Sequence, residues 1–286
     1  MGGLGNQMFQ YAFGRYLAIK NNTELKLDTS FLENTAYKPD FTFRNFELGV
    51  FDIKAELANE KELEKFRKPK NFFRKLVFKS ACKLHNRKII QYEELPFKES
   101  IKKLRANIFI KGYWQSEKYF KEIEEVLQDD FKIVKDPPAT QQVLLNDIVN
   151  SNSVSIHVRR GDYVTNPINN KLLGTCSIEY YEAAIKYIGN VVKDPAFYIF
   201  SDDLDWVKDN IRLYYPHTFV EGKPHAAYED LRLMRACKNN IIANSSFSWW
   251  GAWLNTNKEK HVIAPSVWFV SGYDTRDVVP KNWIRL

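Results

Sequence analysis

Long hydrophobic runs are missing from this chain. No stretch of about 18 consecutive apolar residues occurs, and Met1 to Gln10 has no charged segment leading into an apolar one. Neither a membrane span nor a secretory leader is expected. Cysteine is scarce as well: Cys82, Cys176 and Cys237 are odd in number and far apart, which excludes a disulfide framework and any clustered zinc or redox motif. Reduced thiols in a cytoplasmic protein are the expectation. Repeats and low-complexity tracts are also absent, which excludes solenoids and linker-like arrays.

Large side chains are plentiful. Aromatic residues make up 15% of the 286 and hydrophobic residues 44%, enough to bury sizeable cores and too much for a disordered chain. The length suits two modest domains. Pro137-Pro138 stops whatever precedes it, and Gln141 to Val149 has helical spacing of Val143, Leu144, Ile148 and Val149. The expected division is therefore residues 1–150 and 151–286. The net charge of +7 is uneven: residues 54–105 hold sixteen Lys or Arg against seven Asp or Glu. No nucleic-acid-binding motif accompanies that surplus, so nucleic acid is not an expected partner.

A glycine turn, Gly2-Gly3-Leu4-Gly5, opens the chain and leads into a helix from about Asn6. Short strands are predicted at 25–28 and 107–112. From Ser153 onward strands at 154–158, 197–200, 241–243 and 262–264 alternate with helices at 178–188, 228–237 and 247–254. Such a βαβ succession places binding loops at the carboxyl ends of parallel strands.

Three constellations sit at those ends. In His157-Val158-Arg159-Arg160-Gly161-Asp162-Tyr163, a period of two puts Val154, Ile156 and Val158 on the apolar face and turns His157 and Arg159 together toward the opposite side. A guanidinium so placed offers paired N–H donors to a diphosphate without help from a metal. Asn244-Ser245-Ser246-Phe247 follows another strand, where small hydroxyl residues can cap a helix and leave backbone N–H groups aimed at an anion. Trp249, Trp250 and Trp253 read as core. In Ser201-Asp202-Asp203-Leu204-Asp205, a carboxylate can accept two N–H bonds from a guanine edge or cap the next helix. Between Arg67 and Lys88 there are nine cations and no acid, with Phe72, Phe73, Leu76, Val77, Ala81 and Leu84 loosely on one helical face. Such a segment is either a solvated face or a surface for anionic membranes.

Taken together, GGLGNQMFQYAFGRYLA, GYWQSEKYF, HVRRGDYV, FSDD and IIANSSFSWWGAWLN resemble the bacterial α-1,2-fucosyltransferases of glycosyltransferase family eleven, in order, over most of Met1 to Phe269. Residues 31–104 carry little of the resemblance. It implies a GT-B-like α/β fold, in which two Rossmann-type domains with parallel sheets face a central cleft. The first would serve the acceptor and the second GDP-fucose. It also implies inverting transfer of L-fucose to the 2-hydroxyl of a galactose residue on a glycan, including lipid-linked glycans, with no metal cofactor. A protein of this kind would be cytoplasmic and peripheral at the inner face of the membrane.

By motif, Arg159 would grip the β-phosphate, and His157 and Asp202 would meet the guanosine. Asn244, Ser245, Ser246 and Phe247 would form the pyrophosphate loop, and Asn6 would approach the reacting phosphate and fucose. Asp162 and His157 are the candidates for the base. Asp203-x-Asp205 matches the metal-binding Asp-x-Asp of other glycosyltransferases, but two carboxylates alone rarely hold Mg²⁺. Family members usually place a short strand before the glycine turn, whereas here the turn follows directly on Met1. Transfer of another GDP-sugar, or to another position, is the alternative.

Overall fold

A computed structural model describes residues 1–33, 44–105, 107–222 and 226–286. The described residues form two compact units that meet in sequence at Phe131 and Lys132. The division falls before residue 150 because the helix Ala139–Asn150 packs within the second unit. Its Ile148 is buried with Tyr198, Phe200, Leu233 and Met234.

The first unit is organised by the helix Leu4–Asn21, in which Met8, Phe9, Tyr11, Ala12 and Phe13 have no exposed surface. Their neighbours are aromatic. Phe13 lies 4.9 Å from Trp114 and 4.7 Å from Tyr119, and Tyr11 lies 5.4 Å edge-on to Phe131, ring centre to ring centre. Such edge and tilted pairs add to plain area burial. Tyr11 also donates to Asp130 at 2.6 Å, and the same carboxylate takes Arg15 Nε at 2.9 Å. Around this helix stand two parallel pairs rather than one sheet: β1 (Lys26–Leu27) with β2 (Glu56–Leu57), and β3 (Lys88–Tyr92) with β4 (Ile108–Gly112). Consecutive residues 23–32 and 107–112 line a shared cavity of about 800 Å³. The helix Phe72–Leu84 stands apart, with not one of its 13 residues buried.

The second unit contains β5 (Asn152–Val158), β6 (Pro195–Ser201), β7 (His217–Val220), β8 (Asn239–Ile241), β9 (Val262–Ala264) and β10 (Ile284–Arg285). All pair in parallel, in the order β10-β9-β8-β5-β6-β7. The order reverses between β5 and β8, and a crevice opens at the carboxyl ends of strands at such a switch point. The expected parity holds. Val154, Ile156 and Val158 join Phe197 and Ile199 beneath the helix Ile178–Val191. Ser155 turns the other way, where its hydroxyl accepts from the buried amide of Asn240 at 2.7 Å. Strands β7 and β10 were not foreseen, being four and two residues long with little alternation.

Candidate functional site

The motifs expected to carry chemistry in the second unit converge at the carboxyl ends of β5, β6 and β8. Arg159 follows the last residue of β5. Its guanidinium pairs with Asp162, its Nη1 lies 2.7 Å from Asp202 Oδ2, and its cationic carbon sits 5.4 Å from the ring centre of Tyr163. Burial pulls the guanidinium down, but Asp202 and Asp162 outweigh it and hold its pKa above the ordinary arginine value. Two carboxylates thus fix a permanent cation, which a static donor to a phosphate requires.

Both oxygens of Asp202 take part in this arrangement. Its Oδ1 accepts the backbone N–H of Arg160 at 2.9 Å while Oδ2 faces Arg159. It therefore positions the arginines, and a contact with a guanine edge would share its oxygens with them. Arg160 turns away: its Nε donates to Asp203 at 3.0 Å and its guanidinium stacks 3.8 Å over Trp206. Asp203 also caps the helix Leu204–Asn210 through the N–H of Trp206 at 3.3 Å. Asp205 is exposed beside Lys208. Among the described residues no three His, Cys, Asp or Glu side chains group as a metal site.

His157 is buried under the ring of Phe247 at 5.7 Å, which joins the first motif to the second. Its Nδ1 has no hydrogen-bond partner among the described residues. Burial drives its pKa down to about 4, against the opposing pull of Asp202, so the imidazole is neutral near pH 7. An orphaned buried nitrogen is costly unless something completes it.

Ser245 is the N-cap of the helix Ser246–Trp253 and accepts the N–H of Phe247 at 3.3 Å. Asn244 donates through its side-chain amide to the carbonyls of Leu173, Gly174 and Trp268 at 3.0 to 3.1 Å, and its backbone carbonyl accepts from Tyr163 Oη at 3.3 Å. It braces the loop by its side chain. The three tryptophans are core, with Trp249 Nε1 donating to Val278 O at 2.8 Å. In the first unit, Asn6 Oδ1 accepts from Gln115 at 2.7 Å.

Sequence reasoning passed over two features. Gly161 is needed because a β-carbon there would collide with the Asp202 carboxylate. The signal was available in the glycine between Arg160 and Asp162, but its partner lies 41 residues away in sequence. Asp230, on the helix Ala227–Ala236 after β7, has a buried Oδ1 with no partner among the described residues. A β-carbon on Gly222, just past β7, would come within 3.3 Å of its other oxygen. Burial first, and Glu229 second, push its pKa up to about 6. Nothing local in Tyr228-Glu229-Asp230-Leu231 distinguishes it from an ordinary helix-start acid.

A switch point between parallel strands, with a fixed cation, a neutral imidazole and a helix start beside it, is the kind of place where phosphate-bearing ligands bind, and comparison with known proteins sets the class. The chain belongs to glycosyl transferase family 11, whose family model matches residues 1–286. It is 34% identical over 297 residues to an α-1,2-colitosyltransferase of Escherichia coli, covering 100% of this chain and 96% of that one. It is also 34% identical to the O-antigen biosynthesis glycosyltransferase WbnK of Escherichia coli, covering 100% and 98%. A shorter match, 28% over 109 residues and 36% of this chain, covers 31% of the galactoside α-(1,2)-fucosyltransferase 2 of Sus scrofa. Among solved structures, the α-1,6-fucosyltransferase NodZ soaked with GDP-fucose aligns with TM-score 0.51 and 14% identity, over 88% of this chain and 89% of that one. That likeness concerns the fold, which is GT-B-like.

Proposed function

We propose that the chain transfers L-fucose from GDP-fucose to the 2-hydroxyl of a galactose residue on a glycan, with inversion at the anomeric carbon. The observation that carries this reading is Arg159, held by Asp162 and Asp202 where a leaving diphosphate would need a cation. In the reaction the acceptor oxygen bonds to the anomeric carbon, the bond from that carbon to the β-phosphate oxygen breaks, and the acceptor proton passes to a base. Charge builds on the β-phosphate, and one well-placed donor to such charge is worth about 3 to 4 kcal/mol. Backbone N–H groups at the start of the helix Ser246–Trp253 supplement it.

The guanine edge is better served by Asp230 than by Asp202, because Asp230 Oδ1 is buried without a partner among the described residues and its pKa is raised. His157 completes its Nδ1 with the nucleotide. Asp162, spent on Arg159, is a positioning residue, and a pKa near 4 makes His157 a weak base. Asn6 is proposed, on the resemblance alone, as a ligand near the reacting phosphate and fucose.

A second donor deserves equal trial, because the full-length match to an α-1,2-colitosyltransferase favours it. Colitose is fucose without its 3-hydroxyl. A pocket that hydrogen-bonds that hydroxyl would reject the colitosyl donor by about 10⁴-fold, whereas one that merely encloses it would take both. GDP release with GDP-fucose and GDP-colitose over a panel of β-galactosides, followed by NMR of the product linkage, is the test. Transfer to any position other than the 2-hydroxyl, or no transfer from GDP-fucose, would overturn the proposal, and transfer from GDP-colitose alone would put the second donor in its place.

A further inference from the structure

The helix Phe72–Leu84 is anomalous for a folded protein. None of its side chains is buried, and Phe72, Phe73, Val77 and Leu84 are 69%, 76%, 70% and 81% exposed. Large aromatic residues are seldom left this way without a partner surface. Projected at 3.6 residues per turn, Phe78 and Cys82 share one side, and both are partly covered. The opposite side carries a broad apolar strip of Phe72, Phe73, Leu76, Val77 and Leu84. Lys75, Lys79 and Lys83, spaced by four, drift by about 40° per step, so that Lys75 lies near the covered side, Lys79 at the border of the strip and Lys83 within it, between Phe72 and Leu76. Asn71 starts the helix by accepting the N–H of Phe73 at 3.0 Å, and Arg67, Lys68, Lys70, Arg87 and Lys88 extend the positive field past both ends.

We propose that this helix lies in the plane of an anionic lipid bilayer, with its apolar strip at the boundary of headgroups and acyl chains. The charge selects the partner: from Arg67 to Lys88 there are nine cations and no acid, which opposes a second copy of the same face. The apolar strip then separates lipid from a plain polyanion, since a polyanion gives two exposed phenylalanines nothing to enter. Lysines at the border of the strip and within it, Lys79 and Lys83, can keep their ammonium groups among lipid phosphates while their stems cover the acyl boundary. With no more than five large apolar residues the attachment is reversible and salt-sensitive. It is independent of which sugar the enzyme moves.

The test is flotation of the full chain with vesicles of phosphatidylcholine alone and of phosphatidylcholine with phosphatidylglycerol, at low and high salt. Binding is expected only to the anionic vesicles, weakening as salt rises. Each cation near such a surface contributes roughly a five-fold factor in partitioning, so K75E/K79E/K83E is expected to lose at least about a hundred-fold. F72S/F73S is expected to lose binding too, with both variants keeping the wild-type melting temperature and GDP release on a soluble acceptor. Equal binding to neutral vesicles, full binding by either variant, or capture on heparin with none on vesicles would overturn the proposal.

Discussion

Gly161 and Asp202 approach so closely that no β-carbon fits between them. The contact matters because the same carboxylate holds both arginines that follow β5, Arg159 by its guanidinium and Arg160 by its backbone. An added methyl group must push Asp202 away, leaving Arg159 with Asp162 as its remaining anchor. Gly161→Ala is expected to lower kcat by about 10-fold or more, because in the proposed role of Arg159 as donor to the leaving phosphate a small misplacement is costly. The donor KM and the melting temperature should move little. A kcat within two-fold of wild type would show that the clamp on Arg159 is dispensable.

Arg159→Lys should fare worse than its chemistry suggests. Lysine keeps the charge but cannot offer two planar N–H bonds while also answering two carboxylates. A loss of about 10²- to 10³-fold in kcat is expected, with circular dichroism unchanged. Arg160→Ala should instead lower stability by about 1 kcal/mol, through the lost contact with Trp206, while keeping most activity. Calorimetry and steady-state rates on the two variants separate the roles, and equal activity losses without any change in melting would contradict the division.

Asp230 predicts a pH dependence of donor binding. With a pKa of about 6, its carboxylate is formed above that pH, and only the carboxylate can accept both N–H bonds of a guanine edge, one on each oxygen. GDP affinity should therefore fall as pH drops from 7 to 5. Asp230→Asn should bind GDP at least about 10-fold more weakly at pH 7, with the pH dependence flattened. Titration calorimetry across that range checks both statements.

Stability of the unliganded protein should show two opposing acid effects. His157, depressed from 6.5 to about 4, contributes stability present above pH 6.5 and lost as pH falls through 4, on the order of 3 kcal/mol in all. Asp230, raised from 3.8 to about 6, contributes stability present below pH 3.8 and lost as pH rises through 6. Between pH 6.5 and 4 the two slopes partly cancel. His157→Gln should therefore flatten the loss of melting temperature on acidification, and Asp230→Asn should steepen it. Parallel curves for both variants would show that neither group titrates as described.

Chelation should leave turnover unchanged. Asp203 is occupied by Arg160 and by the helix it caps, and Asp205 points to solvent beside Lys208. Loss of activity in EDTA with recovery in Mg²⁺ or Mn²⁺ would return the pair to the site.

Much of the second unit was legible because a burial rule wrote it. Val154, Ile156 and Val158 alternate with His157 and Arg159, so parity alone placed those two side chains, and β9 falls at the expected residues. Asp202 was legible as a strand-end carboxylate but not as the holder of Arg159, since that depends on how β5 and β6 register, His157 opposite Phe200 and Val158 opposite Ser201. Asp230 was hidden for the same reason: its value lies in what surrounds it, not in its neighbours along the chain. The first unit was least legible, because strands of two residues such as β1 and β2 leave no periodicity to read.

The helix Phe72–Leu84 has a consequence in time as well as in space. Thirteen residues is about the length at which an isolated helix is marginal in water, and this one gains no stability from buried side chains of its own. Its amide hydrogens should exchange with solvent deuterium far sooner than those of Leu4–Asn21, whose apolar side chains are nearly all buried. The segment is thus the part of the molecule whose order is supplied by whatever it rests against, and its exchange rate is a direct reading of whether it rests against anything.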